Sequence, residues 1–200
     1  MALKAVIFDI GGVLEVNPAT GWQQRWARQL SIDTTELGRR LSGIWAAGEV
    51  GRSTLDEIER RTAQALNLDA EQIHALTADV WAEYVGTLNQ DLAQYLESLR
   101  PRFKTAALSN SFVGAREREE AAHRFSERFD VIVYSHEEGC LKPDPRIYRT
   151  ACDRLGVSPE KAVLVDDVQA NVDGARAVGM HGLRSIDNEQ AMRELSSCVG

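Results

Sequence analysis

Short apolar runs rich in Val and Ile recur along the chain as AVIFDI (5–10), TAALS (105–109), FDVIVYS (129–135), AVLVDD (162–167) and a weaker GLRSI (182–186). Unbroken runs of this length mark strands buried on both faces, as parallel strands are. Between them, apolar residues return every three or four positions over 91–99, 115–125, 144–155, 170–178 and 188–197, the period of a helix with one buried face. Strand and helix in alternation predict an α/β fold, a doubly wound parallel sheet with right-handed crossovers.

Residues 15–90 break that alternation with four helical stripes and no convincing strand. Trp22, Trp26 and Leu30 form one stripe; Leu37, Leu41 and Ile44 the next; Leu55, Ile58 and Ala65 a third; Ile73, Leu76 and Val80 the last. Thr54 with Glu57, and Asp69 with Gln72, have the spacing of capping boxes at helix starts. The segment therefore reads as a four-helix insert after the first strand. All four tryptophans lie in it, either filling its core or lining a ligand pocket. AAGEVGRS (46–53) is either a substrate-facing turn or a plain connection between helices.

Composition narrows the partners. A chain of 200 residues, 44% apolar, can bury one sizeable core with a modest second lobe. A net charge of −7 without a dense Lys/Arg cluster argues against a nucleic-acid surface. No run approaches the roughly 18 apolar residues of a membrane span, and the N-terminal stretch is not of the cleavable secretory type. Cys140, Cys152 and Cys198 have no metal-ligand spacing and an odd count, so they read as reduced thiols of a cytoplasmic protein. Pairing of apolar helices from the insert leaves a homodimer open.

The chemistry is sought where strands end, because open parallel sheets bind ligands beyond the carboxyl ends of their strands. The first run ends in Asp9, the second in Ser109-Asn110, the fourth in Asp166-Asp167, and the loop after the third carries Lys142. Each alone has a duller reading as a cap or turn residue. Together they deliver a carboxylate nucleophile, a hydroxyl, an ammonium and a carboxylate pair to one edge. His136, Glu137 and Glu138 read as solvated loop residues, and the run 116–120 as a charged helix face.

In these motifs the chain resembles the haloacid dehalogenase superfamily of phosphatases and related hydrolases. FDIGGVL resembles the first motif, LSNS the second, GCLKPDPRIY the third and VLVDDVQANVDGARAVGM the fourth, while 15–90 stands where the family carries a helical cap. The last two motifs are most similar to those of sugar-phosphate phosphatases, glucose-1-phosphate phosphatase among them, and of the phosphatase domain of soluble epoxide hydrolases. The resemblance implies a Rossmann-like core over 1–14 and 91–200, a cap over 15–90, and Mg²⁺-dependent hydrolysis of small phosphorylated metabolites through an aspartyl-phosphate. It implies Asp9 as nucleophile, Mg²⁺ held by Asp9, the Gly11 carbonyl and Asp167 with Asp166 nearby, and phosphoryl oxygens held by Ser109, the Asn110 amide, the Ile10 and Gly11 amides, and Lys142. Asn171 would brace the metal-side carboxylate. Where most such phosphatases have a second aspartate as general acid, this chain has Gly11, and a positioned acid or base is worth about 10²–10⁴ in rate. Three readings follow: a phosphatase favouring leaving groups that need little protonation (sugar-1-phosphates, acyl or aryl phosphates); a 2-haloacid dehalogenase with Arg25, Arg28, Arg39, Arg40 or Arg52 as carboxylate clamp; or a scaffold that binds a phospho-ligand without turnover.

Overall fold

The computed structural model describes residues 2–199. Five parallel strands form the central sheet in the order β5-β4-β1-β6-β7: β1 Ala5–Phe8, β4 Lys104–Ser109, β5 Val131–Tyr134, β6 Ala162–Asp166 and β7 His181–Arg184. The apolar run of β1 sits in the middle, paired with β4 on one side and β6 on the other. Its side chains alternate between the faces, as a period of two requires. Val6 and Phe8 join Leu92, Leu96, Phe125, Phe129 and Leu195 in one core; Ala5 and Ile7 join Ile147, Tyr148, Leu155, Leu164 and Ala175 in the other. All four β1 residues are fully buried, and each large apolar side chain so buried contributes about 1.5–3 kcal/mol.

The helices over the sheet begin and end as their chemistry directs. In α5 (Gln90–Leu99), Asn89 is the N-cap, and its side-chain amide also donates to the Val13 carbonyl at 2.8 Å. In α9 (Pro145–Leu155), the Asp144 carboxylate accepts from Arg146 N–H at 2.9 Å, Pro145 opens the first turn and Gly156 closes the last in the left-handed region. Completing the layers are α6 (Ala115–His123), α10 (Gln169–Ala177) and α11 (Asn188–Val199). The helical period of 115–125 stops at Arg124, whose φ of 54° turns the chain into a separate short helix, α7 (Phe125–Arg128).

Four helices fill 22–84: α1 Trp22–Gln29, α2 Thr34–Glu49, α3 Leu55–Leu66 and α4 Ala70–Tyr84. Their core is Trp22, Trp26, Leu37, Leu41, Leu66 and Leu76. Asp69 and Gln72 close both arms of a capping box, whereas at Thr54 the arm that forms is the one from Glu57 N–H, at 3.3 Å. The expectation of no strand in 15–90 is corrected at its two ends, where β2 (Glu15–Val16) pairs antiparallel with β3 (Thr87–Leu88). Strands of two residues are too short to display alternation, so their pattern is invisible in the sequence.

The insert rests on the sheet's carboxyl edge through the end of α2. Val113 N–H donates to the Gly48 carbonyl at 3.2 Å, and Ser135 Oγ donates to the Glu49 carbonyl at 2.8 Å. A Cβ on Gly48 would stand 2.6 Å from the Phe112 ring, and one on Gly51 would stand 1.9 Å from the His136 carbonyl oxygen. The segment 46–53 thus connects two helices and faces the core as well, its glycines permitting the close approach.

Candidate active site

The register places the acids. Phe8 pairs with Val165, so one step further along both strands Asp9 lies beside Asp166, and Asp9 N–H donates to the Val165 carbonyl at 2.9 Å. Lys142 arrives from the loop after β5 and α8 (Ser135–Glu138), and its Nζ lies 2.8 Å from Asp9 Oδ1 and 2.7 Å from Asp166 Oδ2. Its ammonium is fully enclosed. The Lys142–Pro143 peptide bond is cis, and Lys142 is held at its backbone by Asn110. Lys142 N–H donates to Asn110 Oδ1 at 2.7 Å, and Asn110 Nδ2 donates back to the Lys142 carbonyl at 3.0 Å. That clasp escaped the sequence reading, which gave Asn110 a backbone role.

Asp9 Oδ1 also accepts from Ile10 N–H at 2.7 Å, so one carboxylate oxygen is pinned from two sides and the direction of the other is fixed. Asp166 is saturated: Oδ1 accepts from Val168 N–H at 2.9 Å, Asn171 Nδ2 reaches both oxygens at 3.0 and 3.2 Å, and Oδ2 takes Lys142. Asn171 is buried and braces Asp166, so it is no surface amide. Asp167 is half-buried, and Gly12 makes room for it, since a Cβ there would lie 2.6 Å from Asp167 Oδ2. Ser109 is buried at the end of β4. Gly11 is exposed, and a Cβ on it would meet Asn17 Oδ1 at an ordinary 3.6 Å. Asp9, Ser109, Asn110, Lys142, Asp166 and Asp167 therefore gather at one sheet edge, with Gly11 in the adjoining turn.

This cluster is short of positive charge. Asp9, Asp166 and Asp167 each offer a ligand atom within 4.8 Å of the others, while Lys142 is the cation bonded among them. Burial pushes the Asp9 carboxyl up to about 7 despite Lys142, with Asp166 adding to the rise. Burial, then Asp166, also raises Asp167. Burial alone would lower the Lys142 ammonium, but Asp9 and Asp166 outweigh it and raise it. Three oxygen donors with a deficit of about two charges fit a hard divalent cation such as Mg²⁺.

A second acidic group lies behind the site. Glu15, on β2, is 1% exposed, and its Oε1 stands 3.2 Å from His123 Nε2 without a formed hydrogen bond. Burial first, then Glu119 and Asp9, push Glu15 up to about 9. Glu119 is likewise buried, accepts from Tyr134 OH at 2.6 Å and is raised by burial to about 7. The run 116–120 is thus not wholly a solvated face, because the strand residue Tyr134 draws Glu119 inward. The solvated reading holds for exposed Glu137 and is corrected for the partly buried His136 and Glu138. His136 Nδ1 lies 2.7 Å from Ser111 Oγ, Glu137 pairs with Arg116 and Glu138 with Arg154 at 2.7 Å.

Glu15 makes stability depend on pH. In the unfolded chain it ionises near 4.5, in the folded chain near 9, so between those values the folded state holds the extra proton. Stability therefore falls as pH rises through that window. Glu15→Gln removes the slope, and its melting temperature is expected to exceed wild type by several degrees at pH 8 and to match it near pH 4.5, as thermal unfolding at the two pH values will read.

A cavity of about 270 Å³ opens between the insert and this edge, with Trp45 and Trp81 in its wall beside Asn110, Ser111 and Leu141. The tryptophans divide, Trp22 and Trp26 filling the helical core while Trp45 and Trp81 line this cavity.

Comparison with known proteins places the geometry. A family model described as haloacid dehalogenase-like hydrolase matches residues 3–179. Phosphatase MT3486 of Mycobacterium tuberculosis is 30% identical over 90% of this chain and 86% of its own length. (S)-2-haloacid dehalogenase 1 of a Pseudomonas species is 32% identical over 88% of this chain and 73% of its own length. A HAD-family enzyme of Bacteroides thetaiotaomicron, solved with magnesium and inorganic phosphate, shares the fold at a TM-score of 0.77 and 18% identity, covering 92% of this chain and 94% of that one. The chain spans 19–39% of the length of longer curated relatives, such as bifunctional epoxide hydrolase 2 of Rattus norvegicus.

Proposed function

The chain belongs to the haloacid dehalogenase-like hydrolases, and from that premise we propose that it is a Mg²⁺-dependent phosphatase of small phosphorylated metabolites, working through an aspartyl-phosphate on Asp9. The observation that carries this reading is the group of buried Asp9 and Asp166 and half-buried Asp167 with one lysine bonded among them, a site two charges short. Asp9, Asp167 and the Gly11 carbonyl would hold Mg²⁺, with the saturated Asp166 positioning Lys142 beside it. When bound, the cation supplies the charge that lets a phosphate dianion approach three carboxylates.

The remaining work falls to the chain's own groups. Ser109, the Asn110 amide, the Ile10 and Gly11 amides and Lys142 take the phosphoryl oxygens, where donors fixed in advance stabilise the developing charge. An oxygen of Asp9 attacks phosphorus, the ester oxygen departs with its bonding pair, and water then attacks the acyl phosphate to release phosphate and restore Asp9. The Asn110 clasp keeps Lys142 directed at the reacting centre.

Phosphate release from p-nitrophenyl phosphate, expected in Mg²⁺ and lost in EDTA, tests the proposal; no cation-dependent release would end it. Gly11→Asp should raise kcat/KM on alkyl phosphates by about 10²-fold or more and change acyl phosphates little, because the added acid protonates poor leaving groups. Equal changes on both substrate types would show that proton transfer is already supplied.

Phosphatases of phosphorylated carbohydrates (Thermotoga maritima) and sesquiterpenes (Aspergillus oryzae) are also among the relatives, at 28% and 29% identity. The dehalogenase reading would need an arginine clamp, and the arginines named for it are not in the cavity wall. Arg25 pairs with Asp79, and Arg39 and Arg40 with Glu36, while neither these nor Arg28 and Arg52 line the cavity.

A further inference from the structure

The cavity above the site has a chemistry of its own. Its described walls hold two acids, Glu49 and Glu59, and no Lys, Arg or His. A leaving group with a second phosphate or a carboxylate would meet repulsion and no countercharge. Three of the four hydroxyls in the wall already have a protein partner, Thr77 being the fourth: Thr62 Oγ1 accepts from Trp45 Nε1 at 3.3 Å, Tyr84 OH from Phe112 N–H at 3.2 Å, and Ser111 Oγ lies 2.7 Å from His136 Nδ1. A sugar ring entering it would exchange many hydrogen bonds with water for few with protein, and each polar group buried without a partner is unfavourable.

Apart from Asn110 and Thr77, what remains of the lining is aromatic and aliphatic, with Trp45 and Trp81 each packed edge to face on Phe112 at a centroid distance of 6.1 Å. The space is also of defined size. A cavity of about 150 Å³ lined by apolar side chains takes benzene, so one of about 270 Å³ takes roughly ten carbon atoms. Its wall includes Asn110 and Leu141, the chain neighbours of Ser109 and Lys142, so the cavity adjoins the site, and the leaving group of a phosphate held by Asp9, Ser109 and Lys142 would lie beside it.

Resting on the phosphatase reading, we infer that the substrate is a phosphate monoester with one anionic group and a neutral, apolar leaving group of about two fused rings, an aryl phosphate rather than a sugar phosphate. An aryl oxygen leaves with little protonation, which agrees with glycine at position 11.

The test compares 1-naphthyl phosphate, phenyl phosphate, glucose 1-phosphate and acetyl phosphate on the full chain with Mg²⁺. The expected order in kcat/KM is naphthyl above phenyl above glucose 1-phosphate, with at least tenfold between first and last. Thr77 lies in the cavity wall, and T77F should cut the ratio of naphthyl to acetyl phosphate activity about tenfold. The wild-type series stands by itself if T77F fails to fold. Hydrolysis of acetyl phosphate with glucose 1-phosphate equal to or above naphthyl phosphate overturns the inference and leaves the phosphatase standing. Absence of hydrolysis on all four overturns both.

Discussion

Replacing Lys142 with methionine is expected to lower stability by about 3–5 kcal/mol and activity by roughly 10²–10³-fold or more. The methionine fills similar space, so packing is not what is lost. The buried ammonium lies within 2.8 Å of both Asp9 and Asp166, and without it those carboxylates face each other with no opposing charge. Breaking a buried pair from one side is costly for that reason, whereas replacing the whole group by apolar residues is often neutral. Two measurements separate charge from shape. In chelator, the urea midpoint deficit of K142M should shrink as pH falls from 8 towards 5, because protonating Asp9 relieves the excess charge. Added Mg²⁺ should raise the melting temperature of K142M more than that of wild type. A variant as stable as wild type at pH 8 would mean that Lys142 does not neutralise the cluster.

Asp9→Asn is expected to act in opposite directions on the two properties. Turnover should fall by at least about 10⁴-fold, since a carboxamide does not attack phosphorus and no later step can begin. Stability in chelator should rise, by roughly 1–3 kcal/mol at pH 8. Asp9 ionises near 3.8 when unfolded and near 7 when folded, because burial and then Asp166 disfavour its charge against the pull of Lys142. The folded state thus holds more protons between those values, and stability declines as pH rises from about 4 to about 7. The asparagine removes that decline while Lys142 keeps Asp166 as its partner. Paired thermal scans at pH 4 and pH 8 will read it: near equality at the lower value, a more stable variant at the higher. A variant less stable than wild type at pH 8 would mean that the Lys142 ion pair outweighs the burial of Asp9. Stabilisation on loss of a functional group is the mark of a site held at the expense of the fold.

Much of this arrangement was legible because it rests on unbroken apolar runs. AVIF and AVLVD became β1 and β6, and the acids that close them had to emerge side by side once the strands paired in parallel. The α/β class and the helices α5, α6, α9, α10 and α11 followed from the same alternation, while the single-turn α7 and α8 did not. Positions that depend on another part of the chain stayed hidden. Nothing in RERE distinguishes Glu119 from its neighbours until Tyr134 is placed against it. His136 looked solvated because Ser111, its partner, is distant in sequence. Glu15 sits between Leu14 and Val16 in a strand of two residues, so no pattern announces its burial. The clasp of Asn110 on Lys142 joins two loops that sequence spacing does not relate.

The short antiparallel ladder of Glu15–Val16 with Thr87–Leu88 has a topological consequence. The chain departs for the helical insert and comes back through neighbouring backbone positions, so the intervening residues impose no distance on the sheet. For such an excursion, added length carries a closure penalty that grows only with its logarithm. The parallel strands can therefore retain one constellation of acids while the module above them is enlarged, shortened or exchanged, which lets selectivity diversify without rebuilding the chemistry beneath.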